Sequence, residues 1–157
     1  YIIVISIGVI LNRIIESIVF LITLCGVRQF SGGFHAKTFW LCRLSMVITC
    51  LCVTMLTDIV THTEYKTIIV MLANAISVLF ITIFAPIAHP NKPLSDKQKR
   101  NNKIKSIITS LFLSAVSIIM VVASDMKFGV TISITLFSVV ILMIIGMAIQ
   151  KGGKVNV

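Results

Sequence analysis

Residues 128–149 read FGVTISITLFSVVILMIIGMAI, a run without a single charged side chain. At 1.5 Å of rise per residue, a helix of this run is about 33 Å long, enough to cross a hydrocarbon layer of about 30 Å. Its wealth of Ile, Val and Thr would also suit a β-strand, but strands of a membrane barrel are short and alternate apolar with polar residues. No such alternation is present, so the run reads as a membrane helix. Four further runs of the same kind fall at Ile2–Val27, Leu44–Val60, Ile68–Ala88 and Ile107–Ser124. The composition of the whole chain agrees: of 157 residues, 57% are apolar and 12% charged, with mean hydropathy +1.07. A soluble domain is about 25% charged, a disordered chain is polar and highly charged, and a disulfide scaffold is far denser in cysteine. The sequence predicts an all-α, polytopic integral membrane protein, with residues 1–157 forming one transmembrane helical domain of about five helices.

The first run differs from the others. Asn12, Arg13 and Glu16 interrupt its middle and mark a break between a short segment and a second one. Arg13 and Glu16 are three residues apart, a spacing at which opposite charges pair along a helix. The chain begins at Tyr1 instead of Met, and the expectation is an N-terminal truncation, with six spans in the full-length protein. Neither an internal repeat, a low-complexity tract nor a cleavable signal peptide is visible.

Fourteen Lys and Arg against five Asp and Glu give a net charge of +9. In a soluble protein that excess would point to nucleic acid, but here its distribution explains it. Three cations lie in Arg28–Arg43, six in Lys92–Lys105 and two in the tail (Lys151, Lys154), whereas the intervening loops carry only Lys66 and Lys127. Basic loops stay cytoplasmic, so the expected topology is a multi-pass protein of the cell membrane with those three segments facing the cytoplasm. Ile2 lies on the outer side if the first run crosses once. The loop PNKPLSDKQKRNNKIK is expected chiefly to set topology and face membrane lipids, since each juxtamembrane cation gains about 1 kcal/mol near anionic headgroups; a second reading is that it also receives an acidic peptide. No nucleic acid is implied. Pro86, Pro90 and Pro93 give this loop a defined shape, and helix resumes near Asp96 or Asn101.

The segment between the first two runs, VRQFSGGFHAKTFWLCR at residues 27–43, gathers a His, a Cys, a Gly pair and several cations. Taken singly, each has a plain structural role. A Gly pair is a turn, a terminal Arg or Lys reaches for headgroups, and a free Cys is a small buried hydrophobe, the reading adopted for Cys25, Cys50 and Cys52. Taken together, they can form a nucleophilic site. A free thiol with pKa about 8.5 is mostly protonated at neutral pH, and a nearby imidazolium lowers that pKa strongly. His35 would serve Cys42 in this way, with Arg28, Lys37 and Arg43 adding positive potential and Gly32 and Gly33 leaving backbone N–H groups bare for an oxyanion. Seven residues along one helix would separate His35 from Cys42 by about 10.5 Å, too far for contact. The pair therefore needs a helix start near Lys37 or Thr38 and a re-entrant or interfacial segment before it.

This pattern of Arg28, Gly32-Gly33, His35 and Cys42, followed by Ala85-Pro86 and Asn91-Lys92-Pro93 between later spans, resembles the accessory gene regulator protein B (AgrB) family of membrane cysteine endopeptidases. The resemblance implies that Cys42 is the nucleophile and His35 its base. It implies a short precursor peptide of Gram-positive quorum sensing as substrate: its acidic C-terminal tail is cut off, the remainder is held as an acyl-enzyme thioester, and an internal nucleophile closes a thiolactone ring. Gly32, Gly33 and Arg28 occupy matching positions. Support of the oxyanion by the glycines, and contact of Arg28, Lys37 and Arg43 with substrate or headgroups, are inferences from chemistry. The resemblance also implies a homodimer, although no small-xxx-small pattern argues strongly for an interface.

No third catalytic residue is evident. Asp58 lies about 24 Å along a helix from Cys42, and Glu16 is assigned to Arg13. No cofactor is implied. A metal is not expected either, because His62 falls in an outer loop and the thiols of Cys50 and Cys52 diverge by roughly 160° around a helix. The reading from a different class is a non-enzymatic membrane protein, a transporter subunit or peptide-binding scaffold, in which residues 28–42 are only a re-entrant turn.

Overall fold

The computed structural model describes residues 2–31, 39–87, 95–123 and 126–152. They form helices α1 (Ile2–Ile10), α2 (Ile14–Ser31), α3 (Phe39–Thr61), α4 (Lys66–Phe84), α5 (Asp96–Val122) and α6 (Met126–Gly152). Helices α2 to α6 each contain a segment long and apolar enough to span a membrane, so the chain is an all-α polytopic membrane protein. Helix resumes at Asp96, one of the two predicted positions.

The first apolar run is two helices. The chain turns at Leu11–Asn12, where Asn12 takes φ 55°, a left-handed conformation that Asn adopts more readily than most residues. Helix α1 then lies back along α2. Gly8 permits this, since a Cβ there would stand 2.5 Å from Oγ of Ser17. The run therefore does not cross once. Ile2 and Ile3 instead return to the start of α3, where they line a cavity of about 370 Å³ with Arg43, Met46 and Val47. The expectation that Ile2 lies opposite the Arg28–Arg43 segment is overturned.

The break also relocates a charge. Arg13 in mid-span would be costly, but at the start of α2 it meets the far end of α3. Its guanidinium donates two hydrogen bonds to the two carboxylate oxygens of Asp58. The predicted Arg13–Glu16 pairing gives way to this one, because a carboxylate facing the planar guanidinium accepts in a fork. Glu16 remains close enough to add to the field on Arg13.

Helix α6 is the axis of the bundle and packs against α2, α3, α4 and α5. Its residues 129–136 are buried on all sides, as a helix surrounded by others must be. Hydroxyls in this environment are satisfied locally where they can be: Thr131 donates to the Lys127 carbonyl, Thr135 to Thr131, Thr82 to Val78 and Ser77 to Ala73. Others cross between helices. Asn74 of α4 donates to Oγ of Ser117 on α5, which donates to the Gly129 carbonyl on α6, and Ser133 of α6 donates to the Val70 carbonyl on α4. These bonds link the three helices at one level, and each interhelical bond in a membrane contributes about 0.6 kcal/mol on average. Gly129 lets α5 approach α6, since a Cβ would stand 2.6 Å from the Ser117 carbonyl oxygen.

Two outcomes follow for stability. Gly129→Leu should cost at least about 2 kcal/mol in SDS-titrated unfolding from mixed micelles, whereas Gly26→Ala, whose new Cβ would meet its nearest neighbour at 3.8 Å, should be within experimental error of the parent. In a double-mutant cycle, Arg13→Ala and Asp58→Ala should show a coupling of roughly 1 kcal/mol, because the pair is about a third exposed and partly screened. Strict additivity would mean that the ion pair does not hold α2 to α3.

Candidate functional site

The basic end of the bundle is built from four helix termini. Helix α2 finishes with Arg28-Gln29-Phe30-Ser31, and α3 starts at Phe39. Of the predicted site residues, Gly32, Gly33, His35 and Lys37 lie outside the described residues, as does the side chain of Cys42. The backbone of Cys42 is helical and is the fourth residue of α3. A helix starting at Phe39 is one residue later than the latest predicted start. It places Cys42 in the opening turn of α3, the end of a helix at which unpaired N–H groups and the helix dipole favour an anion.

Trp40 and Arg43, on either side of this position, locate the start of α3. Both are exposed, and the Arg43 guanidinium lies over the Trp40 ring at 5.8 Å from its centroid. Tryptophan and arginine are side chains that settle at the membrane–water boundary. Their pairing puts the first turn of α3 at that boundary. Arg43 also borders the cavity between α1 and α3. Arg28 is half-buried in the last turn of α2, where a cation complements the negative end of the dipole.

A second wall comes from the end of α4. The Ala85 N–H closes that helix on the Ile81 carbonyl at 2.9 Å. Pro86, joined to Ala85 through a cis peptide bond, has no N–H to donate. The next amide, of Ile87, donates to the carbonyl of Ser31 at 3.0 Å. Ser31 is fully buried and Ile87 packs half-buried against the apolar core. The exit of α4 is thus tied to the last residue of α2, immediately before Gly32. Beside it rises α5, whose start is fixed by the Ser95 N–H donating to the Gln98 side chain at 3.2 Å. Its 27 residues extend about 40 Å, so the first turns, bearing Lys97, Lys99, Arg100, Lys103 and Lys105, project beyond the hydrocarbon. Lys105 leans back, with its ammonium 5.5 Å from the centre of the Phe30 ring on α2.

The structure therefore brings the neighbours of both sequence motifs to one place: the end of α2, the start of α3, the Ala85-Pro86-Ile87 exit and Lys105. Asp58 is not among them. It lies 16 residues beyond Cys42 on α3 and is engaged by Arg13 at the opposite end of the bundle. Of the three thiols assigned to the core, only Cys50 is buried; Cys25 is half-buried and Cys52 exposed. Cys50 and Cys52 point apart as their spacing requires, and a thiol on a lipid-facing surface costs little because it is itself apolar. No three His, Cys, Asp or Glu side chains cluster as metal ligands among the described residues. The sequence reading did not include the Ile87–Ser31 bond, for which the one available signal was a proline directly after a helix end, leaving the following amide as the next donor.

Residues 1–149 match a family model described as Accessory gene regulator B. The chain is 25% identical over 114 residues to accessory gene regulator protein B of Staphylococcus intermedius, covering 73% of this chain and 59% of that protein. It is 29% identical over 92 residues to the protein of the same name from Staphylococcus saprophyticus, covering 59% and 47%. A protein of Clostridium perfringens named as AgrB-like is 29% identical over 122 residues, covering 73% and 57%. The chain thus spans about half to three-fifths of the length of these curated relatives. No solved structure matches it. With the family model covering all but the last eight of its 157 residues, this helical membrane chain belongs to the accessory gene regulator B family.

Proposed function

We propose that the protein is a membrane cysteine endopeptidase that matures a short signalling peptide of accessory gene regulator quorum sensing. Membership of the accessory gene regulator B family carries this reading, and the place of Cys42 in the first turn of α3 supports it. In this mechanism His35 takes the Cys42 proton, and the thiolate attacks the scissile carbonyl. Backbone N–H groups at Gly32 and Gly33 hold the oxyanion. As the intermediate collapses, His35 returns the proton to the leaving amine, and the acidic tail departs as a free peptide. The rest of the precursor stays on Sγ of Cys42 as a thioester. A thiol within the peptide, giving its proton to His35, then attacks that carbonyl and expels the Cys42 thiolate, closing a thiolactone ring. One thioester replaces another, so the step needs no outside energy. It needs water kept away, which an interfacial site among apolar helices favours.

The basic end of the bundle faces the cytoplasm in this reading, where Arg28, Lys37 and Arg43 contact the substrate or lipid headgroups, and the cations of α5 attract the acidic tail. Two copies form a homodimer. The Cys42 position decides between this reading and a non-enzymatic scaffold. In proteoliposomes, Cys42→Ala should abolish cleavage of the cognate precursor while gel-filtration behaviour stays unchanged, and His35→Ala should lower the rate about 10²- to 10⁴-fold. Unimpaired processing by Cys42→Ala would sink the proposal. For orientation, a cysteine at Ser95 should react with an impermeant maleimide only in inside-out vesicles, and one at Thr63 only in right-side-out vesicles; the reverse pattern would refute the topology.

A further inference from the structure

The hydrogen bonds that join α4, α5 and α6 close on themselves. Nδ2 of Asn74 donates to Oγ of Ser117 at 3.2 Å, and that hydroxyl donates to the Gly129 carbonyl at 2.7 Å. Ser133 follows Gly129 by one turn on α6, and Asn74 follows Val70 by one turn on α4, the spacing at which a helical amide bonds the carbonyl behind it. Oγ of Ser133 donates to the Val70 carbonyl at 3.3 Å and brings the path back to its start. The result is a ring of polar groups drawn from three helices and sealed from the surface: Asn74 is 1% exposed, and Ser117 and Ser133 are fully buried.

One atom of the ring has no partner among the described residues, Oδ1 of Asn74. Turning the amide over does not supply one. The Ser117 hydroxyl has a single proton, which the Gly129 carbonyl holds, so Asn74 must present its NH2 group to Ser117. A buried amide oxygen without a donor is costly in any protein, and lipid offers none, so the donor has to be enclosed within the bundle. Ser133 adds a second signal. Its bond at 3.3 Å is long for a hydroxyl, whose bonds are ordinarily about 2.7–2.8 Å. The ring therefore combines an acceptor that lacks a donor with a hydroxyl whose proton is loosely held, and the two residues meet at Val70. Water has the matching chemistry, since it donates and accepts at once. A metal ion does not, because every oxygen of the ring is neutral and no carboxylate offsets the ion's charge.

We propose that the α4–α5–α6 ring is a binding site for one internal water molecule, which donates to Oδ1 of Asn74 and accepts from the Ser133 hydroxyl. The site lies about 12 Å along α4 from Lys66, toward the end of the bundle opposite the Lys-rich start of α5. With the water in place each helix is bonded to the other two: α4 to α5 through Asn74, α5 to α6 through Ser117, and α6 to α4 through the water and the Val70 carbonyl. The site is separate from the endopeptidase reading and does not depend on it.

Infrared spectroscopy of the full chain in proteoliposomes tests the proposal with water itself as the probe. In protein carrying asparagine labelled at its side-chain carbonyl carbon, the parent minus Asn74→Leu difference isolates the Asn74 band. A hydrogen bond weakens the C=O bond, so the Asn74 band should stand at the lower wavenumber of a bonded amide. Exchange into water bearing the heavy oxygen isotope should shift a narrow O–H stretching band of the parent, and that band should be missing from Asn74→Leu and displaced in Ser133→Ala. An Asn74 carbonyl at the wavenumber of an unbonded amide overturns the proposal. So does a bonded carbonyl without an isotope-sensitive O–H band, which would mean a donor from the protein. A carbonyl band that moves when sodium is replaced by choline would mean a cation in the ring and overturns it equally. An O–H band unmoved by Ser133→Ala rejects the place given to Ser133. If Asn74→Leu does not fold, Asn74→Val, which is apolar and smaller, supplies the same difference.

Discussion

Inside a bilayer there is no water to accept a stray hydrogen bond, so every polar group in these helices must find its partner within the protein. The arrangement of the chain follows from that requirement. Many of the hydroxyls reach the carbonyl one turn back, which lets helices rich in Ser and Thr sit in lipid. Those that cannot define where helices touch: Ser117 stands between Asn74 and the Gly129 carbonyl and brings α4, α5 and α6 to one point. The same requirement operates at both ends of the bundle. At one end it joins Arg13 to Asp58, and at the other it joins Ile87 to Ser31. Helix α2 is held at both of its ends, first to α3 and last to α4, and so becomes a fixed support for the segment that follows it.

The spans were legible in the sequence because hydropathy measures the one property lipid selects for. Which helix lies at the centre was not. Helix α6 is surrounded by four others, yet its hydropathy is only a little above that of α4, since a side chain facing lipid and one facing the core are chosen from the same apolar set. Its distinguishing mark is Ser133, a buried hydroxyl whose partner, the Val70 carbonyl, lies on another helix. The break at Asn12 was visible as a cluster of polar residues, but its consequence was not. Arg13 was matched to Glu16 by a local spacing rule, and a rule of that kind does not register Asp58, 45 residues away. Once the break is recognised, the antiparallel run of α2 and α3 puts both charges at the same end, and the fork geometry of guanidinium on carboxylate then prevails over the helical pair.

For the site, the sequence identified residue types and their order, and the fold adds which chain ends surround them. The charge count had marked the Lys-rich segment as a topology signal. In the fold, Lys105 of that segment leans over Phe30, and the rest of its cations rise along the first turns of α5. A charge cluster serving only to orient the protein would work equally well on a loop. Mounted on the first turns of a helix 27 residues long, these cations are held to a rigid rod, and Lys105 is held against the end of α2.

The proposed site is bordered by four helix ends, which raises a question of precision, since a catalytic hydrogen bond tolerates errors well under an ångström. A contiguous chain cannot solve this through Gly-Gly, which is the least directive pair available. Cross-bracing can. The Trp40–Arg43 pair holds the start of α3 to the membrane boundary, and the Ile87 amide holds the end of α2 to α4, so each of these two helix ends is braced by a contact outside its own backbone ladder.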